Sequence, residues 1–376
     1  MRVIVASDKF KGSLSAAGVA DALTRGLLAV SPDLDVTRVP VADGGDGTLD
    51  AALAAGFVRC PVEVEGPTGL PVATAYARRG SAAVVELADA SGLARLPAGP
   101  APFDATTVGT GQLISAAIDA GCTQVVLGVG GSASTDGGAG LVTGLGGRVL
   151  DASGRPIARG AVGLAHAARL ELAGLRDRLA GVRLVLASDV DNPLTGPTGA
   201  AAVYGPQKGA TPAGVAALDE ALGRWADLVA AVTGHDLRAA PGAGAAGGAG
   251  FAALAVLGAE VRPGVDTVLD LVGFDDLVAG ADLVVTGEGS LDEQTLRGKA
   301  PIGVVRRAAR LGVPVVAVCG RTSLDRPDQR AAGLVRVWSL AELEPDPARS
   351  MARAADLLVE TGRDLARAVP ELVAAR

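Results

Sequence analysis

The chain has 376 residues, of which 49% are hydrophobic and 20% are charged, and its net charge is −7. This composition excludes an intrinsically disordered chain, which would be poor in apolar residues and rich in charge. The acidic balance argues against nucleic acid and membranes as partners, because both attract basic surfaces. Aromatic residues make up 2% of the chain, so small aliphatic side chains must build the core, as they do in buried parallel sheets.

The three cysteines, Cys60, Cys122 and Cys319, lie far apart and form no Cys-x-x-Cys pair. This spacing argues against a disulfide framework or a cysteine-rich zinc site, and it favours a reduced, cytoplasmic protein. The first apolar run ends after a few residues, unlike a signal peptide. The uncharged stretch 239–259 is rich in glycine, so we predict a loop and a short helix there instead of a membrane span.

Strands and helices alternate at the start of the chain. Residues 3–6 form a β-branched run that predicts a buried strand, and the helix that follows could be capped by Ser13 or Ser15. A second strand is expected over 36–41 and a second helix over 48–55. This order predicts a parallel sheet with helices on both faces.

The pattern changes between residues 59 and 90. Two alternating segments, 62–65 and 72–78, flank the turn Gly66–Gly69, and a third strand is expected over 84–87. Such short, closely spaced segments predict antiparallel strands. Further helices and strands are expected over 111–120, 124–129, 182–187 and 213–232.

The alternation of strand and helix returns near the C-terminus. Strands over 282–285 and 313–319 flank a helix over 301–311. A long helix then presents an apolar stripe made of Met351, Leu358, Leu365 and Val369.

Together these patterns predict an α/β protein with a doubly wound domain formed by both chain ends and interrupted by an insert. We place the doubly wound domain at 1–60 and 275–376 and the inserted domain at 61–274.

Acidic and glycine-rich loops follow several predicted strands. In open α/β sheets ligands bind at the carboxyl ends of the strands, so these loops should lie near each other. The first loop, 8–13, carries Lys9 and Lys11 before a helix N-terminus, which favours an anion. A second loop holds Asp43 and Asp46 among three glycines, and either carboxylate could bind a metal ion or a hydroxyl. The alternative for both loops is an ordinary solvated turn.

The glycine-rich loop Gly128–Gly140 also follows a predicted strand, and its backbone N–H groups and hydroxyls could hold phosphates. The residues that we expect to contact a nucleotide are Gly130, Gly131, Ser132, Ser134, Asp136 and Gly137. Gly128, Gly130 and Ala133 also match the pattern G-x-G-x-x-A, with Asp151 roughly twenty residues further on. This match leaves a nicotinamide-dependent oxidoreductase of a small hydroxy acid as an alternative.

Two aspartates, Asp189 and Asp191, follow the strand predicted over 182–187. Clustered carboxylates suit Mg²⁺, which prefers oxygen ligands, and one of them could instead act as a base toward a substrate hydroxyl. The alternative is an Asx turn before a proline. Further along the chain, Gln207 and Lys208 add an amide and a cation.

The last of these loops, 286–292, contains Glu288 and Asp292. Arg297 and Lys299 follow it and supply positive charge near the start of the next predicted helix. Considered by themselves, these two cations are more simply interpreted as part of a solvated face of the protein.

Taken in order, seven strings resemble the bacterial glycerate kinase family of the glycerate 2-kinase type. They are DKFKGSLSA at 8–16, PVADGGDGT at 40–48, GVGGSASTDGGAG at 128–140, SDVDNPLTG at 188–196, YGPQKGA at 204–210, GAGAAGGAG at 242–250 and TGEGSLDEQTLRGKAP at 286–301. The resemblance implies ATP-dependent phosphorylation of D-glycerate at the 2-hydroxyl, giving 2-phosphoglycerate and ADP. It also implies a flavodoxin-like domain formed by both chain ends, an inserted α+β domain, and an active site in the cleft between the two domains.

On this hypothesis the glycine-rich loop binds the ATP phosphates and Asp189 is the preferred base, with Lys9, Lys11 and Asp43 completing the catalytic group. The expected magnesium ligands are Asp189, Asp191 and Asp292. The residues expected to bind glycerate are Ser13, Asp46, Gln207, Lys208, Glu288, Arg297 and Lys299. ATP and Mg²⁺ are the expected cofactors and D-glycerate the expected partner, while a homo-oligomer and a non-catalytic metabolite-binding protein stay open.

Overall fold

The computed structural model describes residues 1–374, apart from the side chain of Arg297. Within this range the chain forms two compact units. The terminal unit comprises Met1–Asp43, Asp50–Ala55 and residues 265–374, and the central unit comprises Gly44–Leu49 and Gly56–Gly264. The domain boundaries expected at 60/61 and 274/275 stay a prediction.

The strands, in chain order, are β1 (Arg2–Ser7), β2 (Asp35–Arg38), β3 (Val58–Glu65), β4 (Pro71–Arg79), β5 (Ala82–Glu86), β6 (Gln124–Gly128), β7 (Arg148–Leu150), β8 (Arg169–Glu171), β9 (Arg183–Ala187), β10 (Glu260–Arg262), β11 (Leu283–Leu291), β12 (Val315–Thr322) and β13 (Leu334–Ser339). The α-helices are α1 (Ala16–Val30), α2 (Thr48–Ala54), α3 (Leu87–Ser91), α4 (Val108–Asp119), α5 (Ala139–Gly144), α6 (Ala161–Leu164), α7 (Ala173–Leu179), α8 (Ala200–Tyr204), α9 (Pro212–Thr233), α10 (Ala245–Ala255), α11 (Gly264–Leu271), α12 (Phe274–Val278), α13 (Ala300–Arg310), α14 (Arg326–Ala331), α15 (Leu340–Leu343), α16 (Pro347–Ala352) and α17 (Ala354–Ala374). Short 3₁₀ turns occur at Leu93–Arg95, Pro206–Lys208 and Thr295–Arg297.

The sheet of the terminal unit is parallel throughout, in the order β2-β1-β11-β12-β13. Counted along this unit alone, the order is 2-1-3-4-5, which is the flavodoxin-like arrangement. Side chains of β1 alternate between two apolar cores, with Val3 and Val5 on one face and Ile4 and Ala6 on the other. Burial on both faces explains why β1 is a continuous apolar run.

The sheet of the central unit is mixed, in the order β10-β9-β6-β5-β4-β3. Strands β3, β4 and β5 pair antiparallel, as the alternating segments predict, whereas β5, β6, β9 and β10 pair parallel. The short strands β7 and β8 form a separate antiparallel pair. The helices and parallel strands of both units confirm the predicted α/β class.

Three local features refine the sequence predictions. Ser15, and not Ser13, caps α1, because its side chain accepts the Gly18 N–H at 3.2 Å. The predicted C-terminal helix is interrupted between α16 and α17. Met351 therefore lies in α16, is 48% exposed and does not belong to the apolar stripe of α17. In α10 the backbone turns left-handed at residues 246–248, so the glycine-rich stretch is a kinked segment. Among the described residues, no helix combines the length and apolarity needed to cross a membrane.

Candidate active site

Three carboxylates lie at the carboxyl end of the terminal sheet. Asp8 follows β1, Asp43 follows β2 and Glu288 lies in the second half of β11. The Asp8 N–H donates to the Gly287 carbonyl at 2.9 Å, which extends the pairing of β1 with β11 beyond Ser7. The three acids are close enough to interact electrostatically, since Asp43 and Glu288 both raise the pKa of Asp8. This is the sheet edge where ligands bind in open α/β folds.

Asp8 is the most perturbed of these acids. Its side chain is buried, and burial raises the pKa to about 7, although Lys9 acts in the opposite direction. Lys9 Nζ lies 3.7 Å from Asp8 Oδ1, and the Lys9 N–H donates to the same oxygen at 2.7 Å. A carboxyl that titrates near neutral pH can exchange protons during turnover. Asp8 begins a motif singled out in the sequence, but its raised pKa was not predictable, because its burial depends on the fold.

Glu288 is also buried, and burial raises its pKa, whereas Thr295 and Lys299 lower it. The Thr295 hydroxyl donates to Glu288 Oε1. Lys299 Nζ lies 3.8 Å from Glu288 Oε2 and 4.0 Å from Asp292 Oδ1. The predicted residues Glu288, Asp292 and Lys299 therefore do come together. Thr295, which sequence analysis did not single out, fixes the orientation of the Glu288 carboxylate.

The other predicted residues of the terminal unit lie in turns. Lys11 is exposed, and the Ser13 hydroxyl donates to the Phe10 carbonyl at 3.1 Å. Asp292 Oδ1 accepts the Gln294 N–H at 2.9 Å, as in an Asx turn. The side chain of Arg297 lies outside the described part of the chain, so its predicted role stays a prediction.

The central unit gathers its loops at one edge in the same way. Glu86, Gly128 and Ala187 are register partners at the carboxyl ends of β5, β6 and β9. The segment Gly44–Leu49 packs against this edge. A Cβ on Gly130 would come within 2.7 Å of the Gly45 Cα, so both loops need glycine at this crossing.

The glycine-rich loop at this edge has the features of a phosphate cradle. Gly131 and Gly137 adopt φ of 60° and 61°, in the left-handed region that favours glycine. A Cβ on Gly131 would overlap the carboxylate of Asp46, so the predicted residues Asp46 and Gly131 are neighbours. Within residues 1–374, the buried hydroxyls of Ser134 and Thr135 have no hydrogen-bond partner. Unpaired buried hydroxyls are unusual in native proteins, and a bound water, ion or ligand is one explanation for them.

Asp136 is fully buried and its carboxylate is occupied by the loop itself. Oδ2 accepts the Thr107 N–H at 2.8 Å, the Thr107 hydroxyl at 2.9 Å and the Gly140 N–H at 3.2 Å. Oδ1 accepts the Gly138 N–H at 3.1 Å. These bonds give Asp136 a positioning role at the start of α5. Direct contact of Asp136 with a nucleotide stays a prediction.

The 3₁₀ turn Pro206–Lys208 places two adjacent predicted site residues in different environments, because Gln207 is exposed and Lys208 is 1% exposed. Lys208 Nζ donates to Ser132 Oγ at 2.8 Å and to the Ser134 carbonyl at 2.5 Å. Burial lowers the pKa of Lys208 to about 7, and Asp136 partly offsets this effect. Lys208 thus supports the glycine-rich loop from inside the protein.

Asp189 and Asp191 lie in the exposed loop after β9. Asp189 Oδ1 accepts the Gly264 N–H at 2.9 Å, which ties this loop to the end of β10. Burial raises the pKa of the Tyr204 hydroxyl, and the negative charge of Asp191 raises it further. Among the described residues, no three or more Asp, Glu, His or Cys side chains form a group able to hold a metal ion. The magnesium ligands stay a prediction, and two exposed carboxylates suit an ion that keeps water and phosphate as its other ligands.

Glu86 is a second buried acid that sequence analysis missed. It is 6% exposed, and its Oε2 accepts the Gly47 N–H at 3.1 Å and the Leu49 N–H at 3.0 Å at the start of α2. Burial raises the pKa of Glu86 to about 7. The signal in the sequence was a carboxylate inside the apolar run predicted as a strand over 84–87.

A cavity of about 510 Å³ lies beside α5 in the central unit. Thr106 and Gly140, which both bond to the Asp136 carboxylate, belong to its lining. Two of its charged residues are paired with each other, because Arg159 Nε donates to Glu65 Oε2 at 2.7 Å. No residue predicted to bind substrate lines this cavity.

Residues 3–370 match the family described as the Glycerate kinase family. The chain belongs to the glycerate kinase family. It is therefore a phosphotransferase, and the predicted resemblance and enzyme class are confirmed. The oxidoreductase alternative loses its structural basis as well, because the Asp151 carboxylate is held in a turn by Ser153 and Arg155.

Individual relatives agree with this membership. A Bacillus subtilis protein named glycerate kinase is 43% identical over 373 residues, which are 98% of this chain and 98% of that relative. An Escherichia coli protein named glycerate 2-kinase is 39% identical over 345 residues, covering 90% of both chains. A crystal structure from Salmonella typhimurium LT2, assigned as glycerate kinase 2, superposes with a TM-score of 0.85 at 41% identity and covers 99% of this chain and 98% of that one.

Proposed function

We propose that this protein transfers the γ-phosphoryl group of ATP to the 2-hydroxyl of D-glycerate, giving 2-phosphoglycerate and ADP. The observation that carries the proposal is the family match over residues 3–370, together with the relative named glycerate 2-kinase. The two clusters of buried ionisable groups at sheet edges support it, because phosphoryl transfer depends on positioning and electrostatics more than on a covalent nucleophile.

The glycine-rich loop is the proposed site of the ATP phosphates. Backbone N–H groups at Gly130 and Gly131, with the hydroxyls of Ser132 and Ser134, would supply donors to the phosphate oxygens, while Gly137, whose N–H donates to the Gly247 carbonyl, would shape the loop. The unpartnered Ser134 hydroxyl and the left-handed glycines support this assignment.

Asp189 and Asp191 are the proposed protein ligands of Mg²⁺, with Asp292 as a further predicted one. Bound to the phosphates, Mg²⁺ would neutralise the charge that develops on the transferred group. The protein's own contribution here is the loop after β9, which the Gly264 N–H holds through Asp189.

Glycerate has a carboxylate and two hydroxyls, and the terminal cluster offers groups of matching chemistry. Lys9, Lys11 and Lys299 would neutralise its carboxylate, and Asp43 and Glu288 would accept hydrogen bonds from its hydroxyls. The further predicted contacts are Ser13, Asp46, Gln207 and Arg297. Lys208, which the sequence also suggested for glycerate, is instead bonded to the glycine-rich loop.

Two residues are candidates for the base that accepts the proton of the 2-hydroxyl. Asp189 was the choice from the sequence. Asp8 is supported by its pKa of about 7, since a base works best when its pKa lies near the operating pH.

The test is ADP formation from ATP and D-glycerate with Mg²⁺, with L-glycerate as a control and the product isomer identified by NMR. We expect turnover with D-glycerate and formation of 2-phosphoglycerate. Binding of both ligands without ADP release would instead identify a metabolite-binding protein, and the 3-phospho isomer would overturn the assignment of the acceptor hydroxyl.

Asp189→Asn should lower kcat at least about 100-fold, because removing a general base or a metal ligand typically has effects of this size. Asp177→Asn removes an exposed carboxylate on α7 of the same unit and should leave kcat unchanged. Near-normal turnover of Asp189→Asn would remove this residue from the mechanism and leave Asp8 as the base to test.

A further inference from the structure

Lys208 is a buried lysine whose charged form has little compensation from its surroundings. Its side chain is almost fully buried, and the negative charge of Asp136 offsets only part of the cost of burial. The Asp136 carboxylate already accepts bonds from the N–H groups of Thr107, Gly138 and Gly140. A buried ammonium beside such an engaged carboxylate costs free energy unless a further negative charge comes near.

The hydrogen bonds of Lys208 do not themselves require the charge. Nζ donates to Ser132 Oγ and to the Ser134 carbonyl, and a neutral amine also has two N–H groups. The loop can therefore hold its shape around either form of Lys208. Because Ser132 Oγ accepts a bond from Nζ, its own hydroxyl hydrogen can be donated to a ligand. Such a chain of hydrogen bonds strengthens when the amine is charged.

The left-handed segment of α10 closes the other side of Lys208. Gly247 has φ of +69°, and a Cβ there would overlap the Ser134 carbonyl and come within 2.9 Å of Lys208 Nζ. The Gly137 N–H donates to the Gly247 carbonyl at 3.0 Å, which fastens this segment to the glycine-rich loop. Lys208 therefore lies between the glycine-rich loop and α10.

We propose that Lys208 is a positioning residue that takes up a proton from solvent when phosphates bind to the glycine-rich loop, and that the charged form fixes Ser132 as a donor to them. The inference rests on the proposed function, because it requires this loop to bind the phosphates of ATP. It replaces the predicted contact of Lys208 with glycerate. In the step the neutral amine gains one proton from solvent, and no other bond forms or breaks.

The surroundings of Lys208 support a protonation change near neutral pH. Burial lowers its pKa to about 7, so the neutral form dominates at pH 8. A phosphate nearby favours the charged form and raises the pKa. Asp136 is the charged group whose effect on Lys208 is resolved, and Nζ also contacts the Ser132 hydroxyl and the Ser134 carbonyl.

The experiment is calorimetric titration of the full chain with ADP and Mg²⁺, in buffers of different ionisation enthalpy. At pH 8 the wild type should take up close to one proton per ADP more than Lys208→Met or Lys208→Arg, because methionine cannot titrate and arginine stays charged. At pH 6 the difference should be small, since Lys208 is then largely charged before binding. Adenosine, which lacks phosphates, should give no such difference.

Controls separate the inference from the proposed function. Arg224→Met removes an exposed cation of α9 and should behave like wild type. Ser132→Ala should weaken ADP binding about tenfold, since it removes the proposed donor. If the wild type binds no ADP, the proposed function fails. If it binds ADP with the same proton uptake as Lys208→Arg or Lys208→Met, the inference alone is overturned.

Discussion

At the scale of single residues, burial converts ordinary side chains into groups that titrate near neutral pH. Asp8 and Glu86 have pKa values raised to about 7, and Lys208 has a pKa lowered to about 7. In each case the first cause is removal from water, which disfavours the charged form. All three lie at or beside the carboxyl ends of parallel strands, where perturbed groups are typical of functional sites.

Asp8→Asn should stabilise the protein at pH 8. In the folded wild type Asp8 binds its proton up to about pH 7, whereas the unfolded chain releases it near 3.8, so the stability that Asp8 contributes is lost as pH rises from about 4 to about 7. Asparagine does not titrate and keeps an oxygen that can accept the Lys9 N–H. We expect the gain in unfolding free energy to be larger at pH 8 than at pH 5 by about 1–3 kcal/mol.

The measurement is urea unfolding at both pH values. Glu360→Gln, which removes an exposed carboxylate of α17 in the same unit, should show no such pH-dependent gain. An Asp8→Asn gain that is equal at pH 5 and pH 8 would show that Asp8 is ionised in the folded protein at both.

Side-chain roles were predictable from the sequence only in part. The chemistry of Lys9, Asp43 and Glu288 follows from residue type and loop position, and the structure places them at one sheet edge. Whether a side chain is buried does not follow, because it depends on residues far away in the chain. Gln207 and Lys208 illustrate this, since a single 3₁₀ turn exposes one and buries the other.

At the scale of elements, the glycine-rich loop and the left-handed segment of α10 form one packed layer. Gly247 is essential to it for two separate reasons, a positive φ and a close approach to the Ser134 carbonyl. Gly258 has a similar φ of +64° but no heavy atom within 4 Å of an added Cβ. Comparing alanine substitutions at Gly247 and Gly258 therefore separates the cost of backbone strain from the cost of steric overlap.

Gly247→Ala should lower the unfolding free energy by about 2 kcal/mol or more beyond the effect of Gly258→Ala. Both variants carry the cost of a left-handed alanine, about 1–2 kcal/mol, and only Gly247→Ala also forces two backbones apart. Urea unfolding of both variants measures the difference. Equal losses of unfolding free energy would show that the left-handed segment of α10 can move away from the glycine-rich loop without cost. Lys208 would then not be held tightly between the two.

Element boundaries followed from local signals wherever those signals were strong. The cap of α1 is Ser15, one of the two predicted candidates, the strands of the 59–90 region form as predicted, and the helix predicted over 213–232 spans Pro212–Thr233. The left-handed turn at Ala246 was not predictable, because alanine disfavours that conformation and only tertiary packing imposes it.

At the scale of the whole chain, the two ends are joined in one unit. Helix α1 packs against α17, and the contact is close because glycines face each other. A Cβ on Gly26 would overlap the Val359 carbonyl and come within 2.8 Å of the Gly362 Cα. The β/α rhythm at both termini was enough to predict this joining, but the assignment of Gly44–Leu49 to the central unit depends on long-range contacts that no local pattern contains.

Gly26→Ala should lower the thermal midpoint, since the added methyl group forces α1 and α17 apart at a cost of about 1–3 kcal/mol. Gly18→Ala in the same helix meets its nearest atom at 3.4 Å, an ordinary contact, and should leave the midpoint unchanged or raise it through better helix propensity. Circular dichroism during heating measures both. A midpoint for Gly26→Ala at or above that of Gly18→Ala would show that α1 and α17 can separate freely.

The pairing of β1 with β11 has a consequence for synthesis on the ribosome. The Arg2 N–H donates to Asp282 Oδ2, a bond between residues 280 positions apart. At translation rates of about 5–20 residues per second, the first strands emerge many seconds before their partners exist. During that interval β1 lacks its partner β11, so we expect the nascent chain to expose an unpaired apolar strand edge until residue 291 has left the ribosome.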